Sequence, residues 1–129
     1  MAAIALSGRR KLSVGEVEMI LAAHEKLATG RPGGRRAVLK LVDLTGFNLA
    51  GRNLADADFS GSVLDGAGLM GANLERANLF GCDLRKADLR HANLTDADIS
   101  RANFTNCQLR QVTLTNAQRW GARGLGDAL

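Results

Sequence analysis

Residues 72–94 read Ala72-Asn73-Leu74-Glu75-Arg76, Ala77-Asn78-Leu79-Phe80-Gly81, Cys82-Asp83-Leu84-Arg85-Lys86, Ala87-Asp88-Leu89-Arg90-His91 and Ala92-Asn93-Leu94. A leucine returns every five residues, and a small residue stands two places before it. The register holds outward in both directions. From Leu44 to Leu114, fifteen consecutive fifth positions are apolar: twelve Leu, with Phe59, Ile99 and Phe104. At the position two earlier, eleven of the fifteen residues are Ala, Ser or Cys. A unit this short buries nothing alone, so its repetition decides the fold.

A period of five suits neither regular element. On a helix five residues turn about 500°, which would spread the leucines over every face. On a flat strand the odd step would alternate faces and leave half of them in water. The backbone must therefore turn a corner once per repeat. The small and large residues, two apart, share one side of a short extended piece. The other three residues face out and make the corner. Stacked coils of this kind bury a continuous interior, as other solenoids do.

The outward positions agree. Asp43, Asn48, Asn53, Asp58, Asn73, Asn78, Asp83, Asp88, Asn93, Asp98 and Asn103 each precede a large residue. Short amides and carboxylates bond nearby backbone and tolerate turn geometry. Gly46, Gly51, Gly61, Gly66, Gly71 and Gly81 lie two places after a large residue, where a corner needs permissive backbone.

These quintets resemble the pentapeptide repeat family, whose unit reads A(D/N)LXX. The resemblance covers residues 37–117. It departs at Val63, Gly68, Gln108 and Thr113 in the Asp/Asn position, and at Val42, Phe47, Arg52 and Val112 in the small one. It implies an all-β solenoid: a right-handed, four-sided parallel β-helix with four repeats per coil, about four coils in all. At the usual strand spacing the stack would stand roughly 18 Å tall. Four repeats per coil place Val42, Phe47 and Arg52 in the first coil and Val112 in the last, where bulk can lean into an end. Arg52 cannot point into an apolar bore unpaired. It is expected to leave through the N-terminal end and meet a carboxylate or helix C-terminal carbonyls.

Around the repeats the chain divides into a basic N-terminal tail (1–12), an amphipathic capping helix (13–30), a Gly/Pro linker (31–36) and a C-terminal tail or cap (118–129). Ser13 and Glu16 have capping-box spacing. Val14, Val17, Leu21, His24 and Ala28, with Ile20 and Leu27, form the apolar stripe. Gly30, Pro32, Gly33 and Gly34 end it. An open solenoid end exposes the bore and unpaired strand edges, so this helix is the expected lid. Trp120 could close the other end; if it does not, that end is open to self-association.

The net charge of +4 is uneven. Residues 1–39 hold seven Lys/Arg and three Glu, residues 40–118 eight basic and nine acidic, and the last eleven two and one. The repeat region is thus nearly neutral. No apolar run reaches membrane-spanning length. The charges Arg9, Arg10 and Lys11 follow the apolar start rather than precede it, so a secretory signal is not expected and a cytoplasmic location is. Cys82 and Cys107 both hold the small inward position and are expected as buried free thiols.

No residues converge on catalysis. His24, His91 and the two cysteines face different ways, so no metal site is expected. No nucleophile, base and orienter fall around a pocket, and no phosphate-loop pattern occurs. The chain is read as no enzyme and as needing no cofactor. The outward residues Arg85, Lys86, Arg90, His91 and Arg110 gather on adjacent sides, and Met70 and Phe80 face out where polar residues are expected. They are the candidate interaction surface of a protein-binding or scaffold module whose partner is a protein. The alternative is a nucleic-acid role, by direct binding through the basic N-terminal segment. A second form of it is the DNA mimicry toward type II topoisomerases that some family members show. Mimicry needs a strongly negative rod, which this one is not. The chain could also be part of a longer protein.

Overall fold

The computed structural model describes residues 8–126. The outer parts of both predicted tails, residues 1–7 and 127–129, lie outside the described residues. A two-residue strand β1 (Arg10–Lys11) leads into helix α1 (Val14–Ala28), and β2 (Val42–Asp43) lies in the first coil of the winding, which begins at Ala37. Fourteen isolated parallel bridges follow among the described residues, each joining residues twenty apart, from Val38↔Asp58 to Asn103↔Arg123. Four quintets therefore complete one coil.

One repeat shows how this is built. Leu74 N donates to Asn93 O of the next coil at 2.8 Å, and Asn73 N donates to Arg52 O of the previous coil at 3.0 Å. The corner then closes with Ala77 N donating to Leu74 O at 3.0 Å. Its third residue, Arg76, has φ +57°. Positive φ confined to the third residue is the pattern of a type II turn. From Leu41 to Gly121 every fifth residue has positive φ, seventeen in succession, of which ten are not glycine. The corner glycines named from the sequence all have it.

The eleven outward Asp and Asn residues act as anticipated. Each accepts a bond at its side-chain oxygen from the backbone N–H two residues on, for example Thr45 N to Asp43 at 2.8 Å and Ala55 N to Asn53 at 3.2 Å. These bonds hold the entry to each corner.

Large and small residues line the bore as the period requires. From Leu44 to Phe104 every large position is at most 1% exposed, and Ala57, Ala67, Ala72, Ala87 and Ala92 are fully buried. Where the small residue is polar, it reaches the carbonyl 23 residues earlier. Ser62 Oγ donates to Leu39 O, Cys82 Sγ to Phe59 O at 2.9 Å, and Cys107 Sγ to Leu84 O at 2.6 Å. Both cysteines are free; Cys82 is buried and Cys107 half-buried. Burial pushes their thiols up to about 12 and about 11, so neither is a nucleophile at neutral pH.

At the N-terminal end, Ser13 and Glu16 form the capping box, with bonds of 3.1 and 3.0 Å. The buried face of α1 is narrower than its apolar stripe. Val17, Leu21 and His24 are buried, whereas Val14 (68%) and Leu27 (51%) are exposed. Arg52 leaves the bore as required. Its Nε meets Glu25 at 2.8 Å and its Nη1 meets Glu18 at 3.0 Å, both carboxylates on α1. β1 was not legible: Arg10 pairs with Val42 and Lys11 with Asp43, and Leu12 behind them is buried.

At the other end the winding continues past residue 117 through Gln118 and Arg123. The large position is lost there to Arg119 and Gly124, but Ala117 and Ala122 keep the small one and Gly121 keeps the corner. Trp120 does not close the end. It is 71% exposed, with Arg101 4.9 Å from its ring centroid, while Leu125 joins the core.

Replacing Leu74 by Ala at the centre of the stack is expected to cost about 2–5 kcal/mol in chemical denaturation. Gly66→Ala, whose new Cβ meets nothing within 4 Å, isolates the strain of φ +68° and is expected to cost about 1–2 kcal/mol. A Gly66→Ala loss equal to that of Leu74→Ala would mean the corner is tighter than described.

Candidate functional site

The winding sorts the outward residues into four corners. The corner after Leu84 carries Arg85 and Lys86, and the next one carries Met70, Arg90, His91 and Arg110. Phe80 lies on a third, so the two exposed apolar residues of the predicted surface, Met70 (43%) and Phe80 (42%), do not share a patch.

The basic cluster is partly neutralised by its own chain. Arg85 folds back on Asp83, with bonds of 2.9 and 2.7 Å, and Arg90 does the same on Asp88 at 2.9 and 2.7 Å. The geometry follows from the repeat. The Asp that caps a corner and the first residue of that corner are two apart on the outer surface, so an arginine there clamps the carboxylate bidentately. These bonds hold Asp83 and Asp88 below the usual carboxylate range and raise both arginines. Lys86, His91 and Arg110 are exposed and have no side-chain ion pair among the described residues. The uncompensated charge of the predicted patch therefore rests on Lys86 and Arg110.

Sequence reading missed a different surface. Residues twenty apart share a corner, and Phe80 shares its own with Leu41, one residue short of two coils before it, and with Trp120, two coils on. Leu41 (54%), Phe80 (42%) and Trp120 (71%) are all exposed. Leu41 leans over Gly61, where an added Cβ would come within 2.7 Å of Leu41 Cδ2. Leu41 and Phe80 flank a shallow apolar hollow of about 280 Å³ floored by Gly61 and Gly81. Lys40 and Arg101 border this corner, and Arg9 donates to Gly61 O at 2.8 Å. The period of twenty aligns Phe80 with Trp120, and Leu41 holds the neighbouring place of the same corner, in the column of Gly61 and Gly81.

The corner after Leu54 and Leu74 carries a charge column of Asp56, Arg76 and Asp96. Arg76 clamps Asp56 at 2.9 and 3.1 Å and reaches Glu75 at 3.2 Å; among the described residues it makes no ion pair with Asp96. A larger cleft, about 450 Å³, opens beside this corner against α1. Among the described residues no three His, Cys, Asp or Glu side chains come together as metal ligands would, and no helix is long and apolar enough to cross a membrane.

A coil of twenty residues, an Asx-capped corner in nearly every quintet and a bore of alternating small and large side chains define a pentapeptide-repeat solenoid. The family model for Pentapeptide repeats (8 copies) matches residues 37–76 and again 77–116, and the chain belongs to that family. Its members share the right-handed, four-sided β-helix. Among solved structures, a pentapeptide repeat protein from the thylakoid lumen of Arabidopsis thaliana is 30% identical, with a TM-score of 0.65. That match covers 68% of this chain but only 61% of the Arabidopsis protein. A pentapeptide repeat protein from Nostoc Pcc 7120 is 28% identical over 84% of this chain and 76% of its own, with a TM-score of 0.57. No curated protein sequence matches this chain significantly.

Replacing Arg90 by Gln is expected to return Asp88 toward the ordinary carboxylate range, read from its side-chain carbon shifts in an acid titration. A lowered carboxylate contributes stability above its unfolded value that is lost as pH falls through the folded one. The variant should therefore lose that small acid-side dependence and otherwise melt as the parent does. An Asp88 titration unchanged by the substitution would show that Arg90 does not hold it.

Proposed function

We propose that this chain is a non-catalytic protein-interaction or scaffold module. The observation that supports it most directly is the division of labour between bore and surface. From Leu44 to Phe104 the large positions, each at most 1% exposed, fill the interior, so it has no room for a substrate. The outward positions, which the repeat leaves free, carry Leu41, Phe80 and Trp120 along one corner with cations beside them. Exposed apolar side chains aligned on a rigid support suit contact with another protein.

In this reading the rod has about four coils and α1 is its N-terminal cap. Val17 and Leu21 belong to the same core as the column leucines. Arg52 ties the first coil to Glu18 and Glu25 of α1. A cytoplasmic location goes with it, and two unpaired cysteines fit a reducing compartment. The basic N-terminal segment gives less support to nucleic-acid binding. Arg9 and Arg36 donate to the backbone carbonyls of Gly61 and Asp56, and Arg10 and Lys11 are successive residues of β1, whose side chains alternate faces, so they do not form one basic stripe.

Affinity purification with the full chain tests the reading. A stable partner is expected, and a Leu41→Ser/Phe80→Ser double variant, both sites being exposed, should fold normally and lose it. Partner recovery unaffected by this pair and by Lys86→Glu/Arg110→Glu would remove both surfaces from consideration. The cap is tested separately. Leu21→Asp should lower the melting temperature and promote aggregation, seen by light scattering, whereas Met19→Asp, at a position 76% exposed, should do neither. Equal behaviour of the two variants would count against α1 as a lid.

A further inference from the structure

The cleft of about 450 Å³ between α1 and the first two coils is walled by Leu27, Ala28 and Ala55 and carries six polar residues: His24, Arg36, Asn53, Asp56, Asn73 and Arg76. Their hydrogen bonds decide what it can hold. Asn53 and Asn73 each spend the side-chain oxygen on a corner, accepting from Ala55 N at 3.2 Å and Glu75 N at 3.0 Å. That leaves two Nδ2 groups, which have no acceptor among the described residues. Arg36 uses Nε on the backbone carbonyl of Asp56 and keeps both terminal nitrogens. Both oxygens of the Asp56 carboxylate are taken by Arg76, at 2.9 and 3.1 Å.

His24 forms part of the wall and is only 2% exposed. Its Nδ1 accepts from Ala37 N at 2.9 Å, so the neutral ring carries its proton on Nε2. Among the described residues Nε2 is the one buried side-chain polar atom without a hydrogen-bond partner. Every unsatisfied group of the cleft is therefore an N–H donor. The lining carries two arginines against one aspartate. Glu75, outside the lining, takes a further Arg76 bond at 3.2 Å, so two carboxylates hold Arg76, and Arg36 is the guanidinium of the cleft bonded to no carboxylate.

We infer that this cleft binds a small anionic ligand through a carboxylate or phosphate group. The anion sits between the Arg36 guanidinium and the Asn53 and Asn73 amides, with Leu27 against its apolar part. The shared chemistry is a compact oxyanion accepting several N–H bonds. The site goes beyond the interaction reading and does not depend on it, because it uses neither the Leu41–Phe80 corner nor the Lys86–Arg110 one.

The full chain, labelled with ¹⁵N, is titrated with inorganic phosphate and separately with citrate at fixed pH and ionic strength. Saturating shifts are expected for the Asn53 and Asn73 side-chain amides, Arg36 and the His24 ring with at least one probe, at a Kd of about 1 mM. Saturation by phosphate alone assigns the phosphate class, and by citrate alone the carboxylate class. Asn73→Asp keeps the oxygen that Glu75 N needs and replaces the Nδ2 donor by a like charge. It should fold normally by circular dichroism and weaken binding at least tenfold. Asn53→Asp offers the same test should Asn73→Asp fail to fold. Shifts that stay linear with both probes, or binding undiminished in a folded Asn→Asp variant, would overturn the site.

Discussion

The structure depends on one backbone constraint, a left-handed residue at the third place of every corner. Without it the chain after each large side chain would run on straight, and Leu74 and Leu79 would face opposite ways. With it the direction changes once per quintet, and four changes bring residue 73 back under residue 93. The cost is real, since a non-glycine residue in this region loses about 1–2 kcal/mol. It is offset locally by the turn bond and by the Asp or Asn that accepts from the next corner. It is also offset by the burial of one large side chain per repeat, about 1.5–3 kcal/mol each. Strain and burial thus recur with the same period, so each coil is affordable only when stacked on another.

Stacking leaves two ends that no repeat can satisfy, and they are handled differently. At the N-terminal end the chain supplies an extra strand and a helix. β1 adds hydrogen bonds below β2, and α1 places buried Val17 and Leu21 against the core with Glu18 and Glu25 toward Arg52. Arg52 holds a position that elsewhere mostly takes Ala, Ser or Cys, and its ion pairs are possible only because no coil lies beneath it. At the C-terminal end the winding fades. The small residue and the corner persist for one more side after the large residue is lost, and Leu125 turns back onto the core.

Much of this was legible because a repeat states its rule many times. The period gave the corner, the small and large positions gave the bore, the Asp/Asn position gave the turn bonds, and the capping box fixed the start of α1. The direction of Arg52 followed from the cost of burying its charge. The rest depended on single instances or on distant partners. β1 is two charged residues long and has no pattern. The winding past residue 117 is carried by Ala122 and Gly121, residue types found in any loop. Relief of Arg85 and Arg90 by Asp83 and Asp88 was legible in the spacing of two, repeated in both quintets, but its bidentate geometry was not. The cleft draws on residues 24, 36, 53 and 73, which no local reading brings together.

The same constraint separates what the fold explains from what it does not. Glycine, or next best asparagine, would serve every corner with less strain. Asn106 and Asn116 follow that preference, as do the seven corner glycines. Lys86 at φ +61°, His91 at +61° and Arg101 at +60° do not. These side chains are long or bulky, exposed and without an ion pair among the described residues, so they contribute little to stability in exchange for the conformation they hold. A glycine at each would leave the bore untouched. Leu41, Asp56, Arg76, Asp96 and Gln111 hold the same conformation, so the solenoid tolerates side chains of every kind at this place. The last place of A(D/N)LXX is free in residue type, so the interior is dictated by the repeat while the corner surface varies at the strain that each left-handed residue carries.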